Sequence, residues 1–459
     1  MKLSVLMLAA LVASGSALAQ GRPDLVEQSL RGGRAQFVPG ELLVQFKPGT
    51  SPEAQSAAFA FVRGERKQTI LSANRRSDGR GDLHLLTLPP GLEVADAFRA
   101  MTQLADVDFV EPNWMYQHQA VSNDPYVTNG SLWGMTGSFG SGASSVWGNR
   151  TTDCGNVWVG VIDEGIMRTH PDLSANMGKN PGETGLDAQG RNKETNGVDD
   201  DENGYIDDVN GWDFAGGDKE PFDGAGDDHG THVAGTIGAV GGNSSGVAGV
   251  CWNVKMISAK FLGSRGGTTA NAVLAVDYIT DLKTKHRLNF VATNNSWGGG
   301  GPSASLQQAI ERANSANILF IAAAGNSTLN CEAADCFPAE YANANVISVA
   351  SITNTGGISS FSNYGVSTVD VGAPGSGIWS TVPRSSKGSV IPGYVSMSGT
   401  SMATPHVTGA AALYLAMNPT ATAAQVKSAI LGGAAPTASL NGKTVTGGRL
   451  NVSNFNFGP

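Results

Sequence analysis

The sequence predicts an α/β fold, a parallel sheet with helices on both faces, preceded by a small α+β module. Nearly all-apolar runs of strand length occur at 157–162, 254–262, 290–293, 318–323 and 346–351. Helical stretches at 269–283, 305–314, 404–416 and 423–431 separate or follow them. Strands apolar on both faces and alternating with helices belong to a sheet covered on both sides. The third observation is a different pattern upstream: a strand at 37–46, a helix at 52–62, a strand at 83–88, a helix at 94–104 and a strand at 107–112. These pieces suit a β-α-β-β-α-β-like module of roughly 80 residues.

Taken in order, the chain opens with Met1-Lys2, a mostly apolar stretch at 3–12 and Ala17-Leu18-Ala19. One positive charge, a short apolar region and an A-x-A site make a secretory signal, residues 1–19, so the protein is expected to be secreted. Residues 20–120 hold the α+β module. The segment 117–130 is polar and turn-rich, and residues 121–459 form the α/β domain. No later apolar run approaches the roughly 18 residues needed to cross a bilayer, so no membrane contact is expected once the signal is removed. Charged residues make up 15% and glycine numbers 61, which suits a loop-rich globular chain rather than a disordered one.

The net charge of −9 falls entirely after residue 120, because the first 120 residues carry 12 basic and 12 acidic side chains. Within 199–228, twelve acids face one base, Lys219. Acidity this local points to a bound cation and away from nucleic acid. Four cysteines, Cys154, Cys251, Cys331 and Cys336, would sit in a disulfide-permissive compartment. Three pairings are open. The short separation of Cys331 and Cys336 suggests a local clamp, which leaves Cys154 with Cys251.

Three segments carry chemistry: Val161-Ile162-Asp163-Glu164-Gly165, Asp228-His229-Gly230-Thr231-His232 and Gly399-Thr400-Ser401-Met402-Ala403. The apolar run after Ser401 has helical spacing, so Ser401 falls at the start of a helix, where unpaired N–H groups favour negative charge. A serine hydroxyl is a poor nucleophile near neutral pH and needs a base. Histidine supplies one, and a buried carboxylate fixes its tautomer. A fourth segment, Ala322-Ala323-Ala324-Gly325-Asn326, ends an apolar strand with an amide able to donate to an oxyanion, beside the Ser401 backbone N–H.

With the order Asp, His, Ser and these flanking residues, the stretch from about Asp124 to Asn451 resembles the subtilisin-like serine proteases. The resemblance implies that Asp163 orients His229, that His229 is general base and then acid, that Ser401 attacks the carbonyl, and that Asn326 holds the oxyanion. Substrate edges would be Ser296-Trp297-Gly298 and Gly266-Gly267, with Ala324 and Gly325 beside them, pairing with an extended peptide. Acidic Glu332 and Asp335, close behind Asn326, suggest a first specificity pocket for basic side chains. The N-terminal module resembles the family's inhibitory propeptide, to be removed near 116–122. Departures are Glu164, where the family usually has Ser or Thr, and the bulk of Trp297.

The oxygen-rich run Asp199-Asp200-Asp201-Glu202-Asn203-Gly204, with Asp208 beyond it, can wrap calcium through Asp199, Asp201, Asn203 and Asp208. The resemblance adds a second calcium site at Asp172 and Asn243. The sequence therefore reads as a secreted, calcium-stabilised, monomeric serine endopeptidase, made as a pre-pro-enzyme and acting on proteins or peptides and on its own propeptide. Its rivals are an esterase with the same triad and a catalytically silent peptide-binding scaffold.

Overall fold

The computed structural model describes residues 22–32, 37–75, 79–115 and 122–457, without the side chains of Arg75 and Asn149. The secretory signal and most of the expected cleavage region at 116–122 lie outside the described residues. The chain divides into two compact units, Met1–Gln117 and His118–Pro459.

In the first unit, α1 (Pro23–Gly32) precedes β1 (Phe37–Phe46), α2 (Pro52–Phe61), β2 (Glu65–Leu71), β3 (Leu83–Thr87), α3 (Val94–Met101) and β4 (Val107–Trp114). The sheet order is β2-β3-β1-β4, with every pairing antiparallel. Ser51 starts α2 by accepting the Ala54 N–H, and Pro52, which has no N–H to leave unpaired, follows it. Alternate residues Leu42, Val44 and Phe46 of β1 are fully buried and pack with Phe59, Phe98 and Met101 from the helices. Sequence pattern did not reveal β2, because all seven of its residues are exposed and carry no apolar alternation. Backbone pairing to β3 alone makes it a strand.

The second unit contains β5 (Asp153–Asp163), β6 (Gly211–Asp213), α4 (Asp228–Gly238), β7 (Asn253–Lys260), α5 (Thr269–His286), β8 (Phe290–Asn295), α6 (Ala304–Ser315), β9 (Leu319–Ala323), β10 (Val346–Ile352) and β11 (Val371–Pro374). A hairpin follows, β12 (Ile378–Ser386) and β13 (Ser389–Met397), then α7 (Thr400–Met417), α8 (Ala423–Gly432), β14 (Ala435–Pro436) and β15 (Gly448–Arg449). Among the described residues the main sheet has the order β14-β15-β11-β10-β9-β8-β5-β7-β6, parallel except for β14.

Alternation along β5 divides the core. Val157, Val159 and Val161 join Val233 and Ile237 of α4 and Val407 and Ala411 of α7 on one face. Ile162 joins Val276 and Ile279 of α5 and Ile310 of α6 on the other. Both faces are covered, as the all-apolar strands predict. The β12–β13 hairpin went unread, since β13 is mostly exposed and its pairing to β12 is not a matter of hydrophobic period.

Cys154 is bonded to Cys251 and Cys331 to Cys336. The first bridge closes a sequence separation of 97 residues from within the main core. Closing a loop of that length limits the unfolded chain by an amount worth about 4–5 kcal/mol in the chain-entropy account. Replacing both Cys154 and Cys251 by Ser is therefore expected to lower the unfolding free energy by about 2–5 kcal/mol in a denaturant titration. An unchanged midpoint would show that this bridge does not restrain the unfolded state.

Candidate active site

Parallel sheets present their ligand sites at the carboxyl ends of the strands. Asp163, the last residue of β5, stands there, 1% exposed. Helix α4 is brought against it by Gly230, where a Cβ would lie 2.3 Å from the Gly165 carbonyl and 3.2 Å from Asp163 Cβ. Any larger residue would push the helix away. The close approach lets His229 Nδ1–H donate to Asp163 Oδ1 at 2.8 Å, and the Glu164 N–H donates to the same oxygen at 2.8 Å. Because the carboxylate only accepts, the proton sits on Nδ1, and the neutral ring presents Nε2 as a base.

Burial opposes a charge on His229, but Asp163, through Coulomb attraction and its hydrogen bond, outweighs it, and Glu164 and Asp228 add to the pull. The ring's pKa is pushed up to about 9. Glu164 also accepts the His229 backbone N–H at 3.3 Å. Its own carboxyl is raised, by burial first and then by Asp163. His232, one turn later, is fully buried and donates Nε2–H to the carbonyls of Ile378 and Val395, and burial lowers its pKa to about 4. It packs the helix onto the hairpin.

Ser401 is the second residue of α7. Pro405, inside this helix, has no N–H to bond the Ser401 carbonyl. Ser296 Oγ takes that acceptor at 2.9 Å, while Ser401 Oγ donates to the Ser296 carbonyl at 3.1 Å. Asn326 is held by its oxygen, which accepts from the Thr400 N–H at 2.8 Å and the Thr400 hydroxyl at 2.9 Å. Gly325 turns the chain there with φ +109°, and a Cβ would lie 2.3 Å from Asn363 Nδ2. With its oxygen engaged, the Asn326 amide nitrogen is left to face the serine. The position a Cβ would take on Gly399 lies 3.5 Å from Ser401 N and 3.6 Å from Asn326 Nδ2, so both donors border one small volume.

A groove of about 300 Å³ is lined by Phe261, Leu262, Gly266, Gly267, Trp297, Gly298 and Phe337, and Trp297 follows Ser296, the hydrogen-bond partner of Ser401. Trp297 does not fill it. Its ring stacks edge-on against Phe261 at 4.7 Å and forms a wall. Ala324 and Gly325 are not part of this lining. Glu332 accepts from Ser367 and Thr368 instead of facing a specificity pocket.

In the acidic stretch, Asp201 and Asp208 come together with Glu183, their oxygens within 4.8 Å of one another. Glu183 was not legible in sequence, because it lies outside the acidic run in a 3-10 turn. Asp199 accepts the N–H groups of Asn203 and Gly204, which shapes the loop. Asn203 donates to Asp208 at 3.1 Å. Burial raises Glu183 to about 7 and Asp208 to about 6. Asp172 and Asn243 also meet, but as acceptor and donor at 2.9 Å, and Val247 N–H and Tyr394 Oη donate to the other Asp172 oxygen.

A model of the subtilase family matches residues 155–458, and a model of the fervidolysin N-terminal prodomain matches residues 26–113. An extracellular protease of Xanthomonas campestris pv. campestris is 31% identical over 83% of this chain and 66% of its own length. An extracellular basic protease of Dichelobacter nodosus is 33% identical over 81% of this chain and 62% of its own. The chain thus spans slightly less than two thirds of these two relatives. Thermitase of Thermoactinomyces vulgaris is 36% identical over 56% of this chain and 73% of its own. Among solved structures, a protease from Pseudoalteromonas arctica aligns with a TM-score of 0.57 at 28% identity, over 73% of this chain and 98% of that one.

Only the deprotonated His229 ring can accept a proton, so the base form is the minor species below about pH 9 and grows about tenfold per pH unit toward it. The Nε2 chemical shift of His229 is expected to titrate well above the ordinary 6.5 of histidine. Glu164→Ser removes an anion that favours the imidazolium and should move the midpoint down, and Asp163→Asn should move it further. A midpoint near 6.5 in the unaltered protein would contradict the electrostatics described.

Proposed function

The chain belongs to the subtilase family, and from that premise we propose that it is a secreted serine endopeptidase made with a signal and a removable prodomain. The observation that carries the reading is the convergence of Ser401 N–H and Asn326 Nδ2 beside a serine whose companion histidine is tied to a buried aspartate. Ser401 Oγ exchanges the Ser296 carbonyl for His229 Nε2, loses its proton to that nitrogen and attacks the peptide carbonyl. Asp163 keeps the ring oriented and stabilises the imidazolium. The two converging donors receive the oxyanion. His229 returns the proton to the leaving amine, and water, activated by the same ring, releases the acyl group.

An extended peptide would lie along Ser296–Gly298 on one side and Gly266–Gly267 on the other. The groove walled by Phe261, Trp297 and Phe337 suits an apolar or aromatic side chain better than a basic one. Residues 20–120 are proposed to aid folding, occupy the cleft and be cut off near 116–122, leaving a monomeric enzyme from 121 onward. The relatives' extracellular naming supports secretion. No helix among the described residues is long and apolar enough to cross a membrane.

Calcium is proposed at Glu183, Asp201 and Asp208. Glu183 is fully buried with Oε2 lacking a hydrogen-bond partner among the described residues, and carboxylates crowded this way repel one another without a hard cation. When bound, the ion supplies charge compensation that holds the 199–208 loop in place.

The secreted products of the full chain and of Ser401→Ala are expected to differ in mass by the prodomain. If both keep it and neither digests casein, the silent scaffold replaces the protease. Asn326→Ala should lower kcat by about 10²–10³, a magnitude measured on subtilisin itself, with little change in KM. Chelation of calcium should lower Tm by several degrees, since a ligand at a hundredfold excess over Kd contributes about 2.7 kcal/mol. Glu183→Gln should remove that dependence, and a Tm indifferent to chelator would exclude the cation.

A further inference from the structure

Beneath the Asp163–His229 pair lies a buried lysine that the mechanism above does not use. Lys260 ends β7 and stands in register with Asp163 of β5. Its side chain is 2% exposed. The ammonium donates to the backbone carbonyl of Glu164, the residue after Asp163, and to Asp227 Oδ1 at 2.6 Å. Asp227 stands at the residue before α4, two residues before His229, and its side chain is 7% exposed. Its second oxygen accepts the Asp223 N–H at 2.7 Å. The exposed Asp223 carboxylate lies 3.3 Å from the ammonium.

These bonds close a ring. Asp163 leads along the chain to Glu164, across to Lys260, across to Asp227, along α4 to His229, and back to Asp163. Three elements, β5, β7 and α4, meet in it. Burying an ammonium is costly unless it is paired and hydrogen-bonded, and here both of its close partners belong to the two segments that carry Asp163 and His229. An apolar side chain would fill the space without joining them.

We propose that Lys260, anchored by Asp227, is a positioning residue for the Asp163–His229 pair. This rests on the reading that the pair drives acyl transfer. The ammonium draws the end of β5 and the start of α4 to one point, which fixes the distance the Nδ1–H bond must span. It also neutralises Asp227, which would otherwise be one more anion near a ring that already faces Asp163 at the end of β5, Glu164 just after it and Asp228 on its own helix. Among the described residues, the other titratable groups against these elements are Asp223 on the preceding loop, Asp213 of β6, which is in register with Lys260 and whose carboxyl is raised by burial, and His232 on α4.

Lys260→Met and Asp227→Asn break the same ion pair, yet they leave opposite charges behind. The first strands carboxylates and favours the imidazolium; the second strands an ammonium and disfavours it. A loss of packing alone would not give opposite signs. The test uses the full chain carrying Ser401→Ala, which cannot cleave itself, with His229 titrated by NMR in each variant. The His229 midpoint is expected to rise with Lys260→Met and to fall with Asp227→Asn, each by about half a pH unit or more. With Ser401 restored, both variants should lose about tenfold to a hundredfold in kcat on a chromogenic peptide, with KM within about threefold, and Lys260→Arg should keep most of the rate.

Midpoints unmoved or moved in the same direction, with kcat near that of the unaltered protein, would overturn the proposal. Should Lys260→Met fail to unfold cooperatively, Asp227→Asn and Lys260→Arg still decide it. Opposite midpoint shifts in a protein whose Ser401 form cleaves nothing would sustain the positioning role and overturn the protease reading instead.

Discussion

The hydrogen bond from His229 Nδ1 to Asp163 Oδ1 is the contact on which the site depends. It joins the last residue of a central strand to the first turn of a helix, and glycines let the two segments approach at that point. Gly230 permits the approach, and Gly165 supplies the carbonyl it packs against. A central strand buried on both faces has little freedom to shift, so Asp163 is held by the whole sheet. The helix is then oriented from the other side by the hairpin, through His232 and through Ser380 and Thr381, whose hydroxyls donate to carbonyls of α4.

The same concentration of charge has a consequence for the base. Three acids surround one imidazole, and the ring is pushed up far enough to favour its protonated form in the free site. Glu164 and Asp228 make this chain more acidic around its histidine than a lone Asp–His pair would be. Lys260 is the compensating charge inside the fold. Removing one partner of a pair buried this deeply typically costs about 3–5 kcal/mol, because the survivor is left uncompensated.

Much of this was legible in the chain itself. The apolar runs announced the parallel sheet, and the three motifs announced Asp163, His229 and Ser401, because strand ends and helix starts have strong local signatures. The small module's four-strand plan was legible, while its second strand was not, since Glu65–Leu71 is polar and exposed throughout. Glu183 and Lys260 were silent for a related reason. A lone glutamate in a turn and a lysine ending an apolar strand carry no local pattern. Only burial beside other charges distinguishes them.

The sequence by itself determined the alternation of apolar strands and helices that builds the parallel sheet, the residue types able to do acyl transfer, and the acidic loop suited to a hard cation. Each of these follows from periodicity or from the chemistry of single side chains, which neighbours along the chain carry. Tertiary structure decided which of those groups meet. It turned Asp199 to its own loop and brought Glu183 to Asp201 and Asp208. It spread Trp297 against Phe261 as a wall and left Glu332 bonded to Ser367 and Thr368. It also ran a buried lysine between the two halves of the Asp–His pair. Convergence of residues far apart in sequence depends on sheet order and on the register of strands against helices, and no local run of residues encodes that.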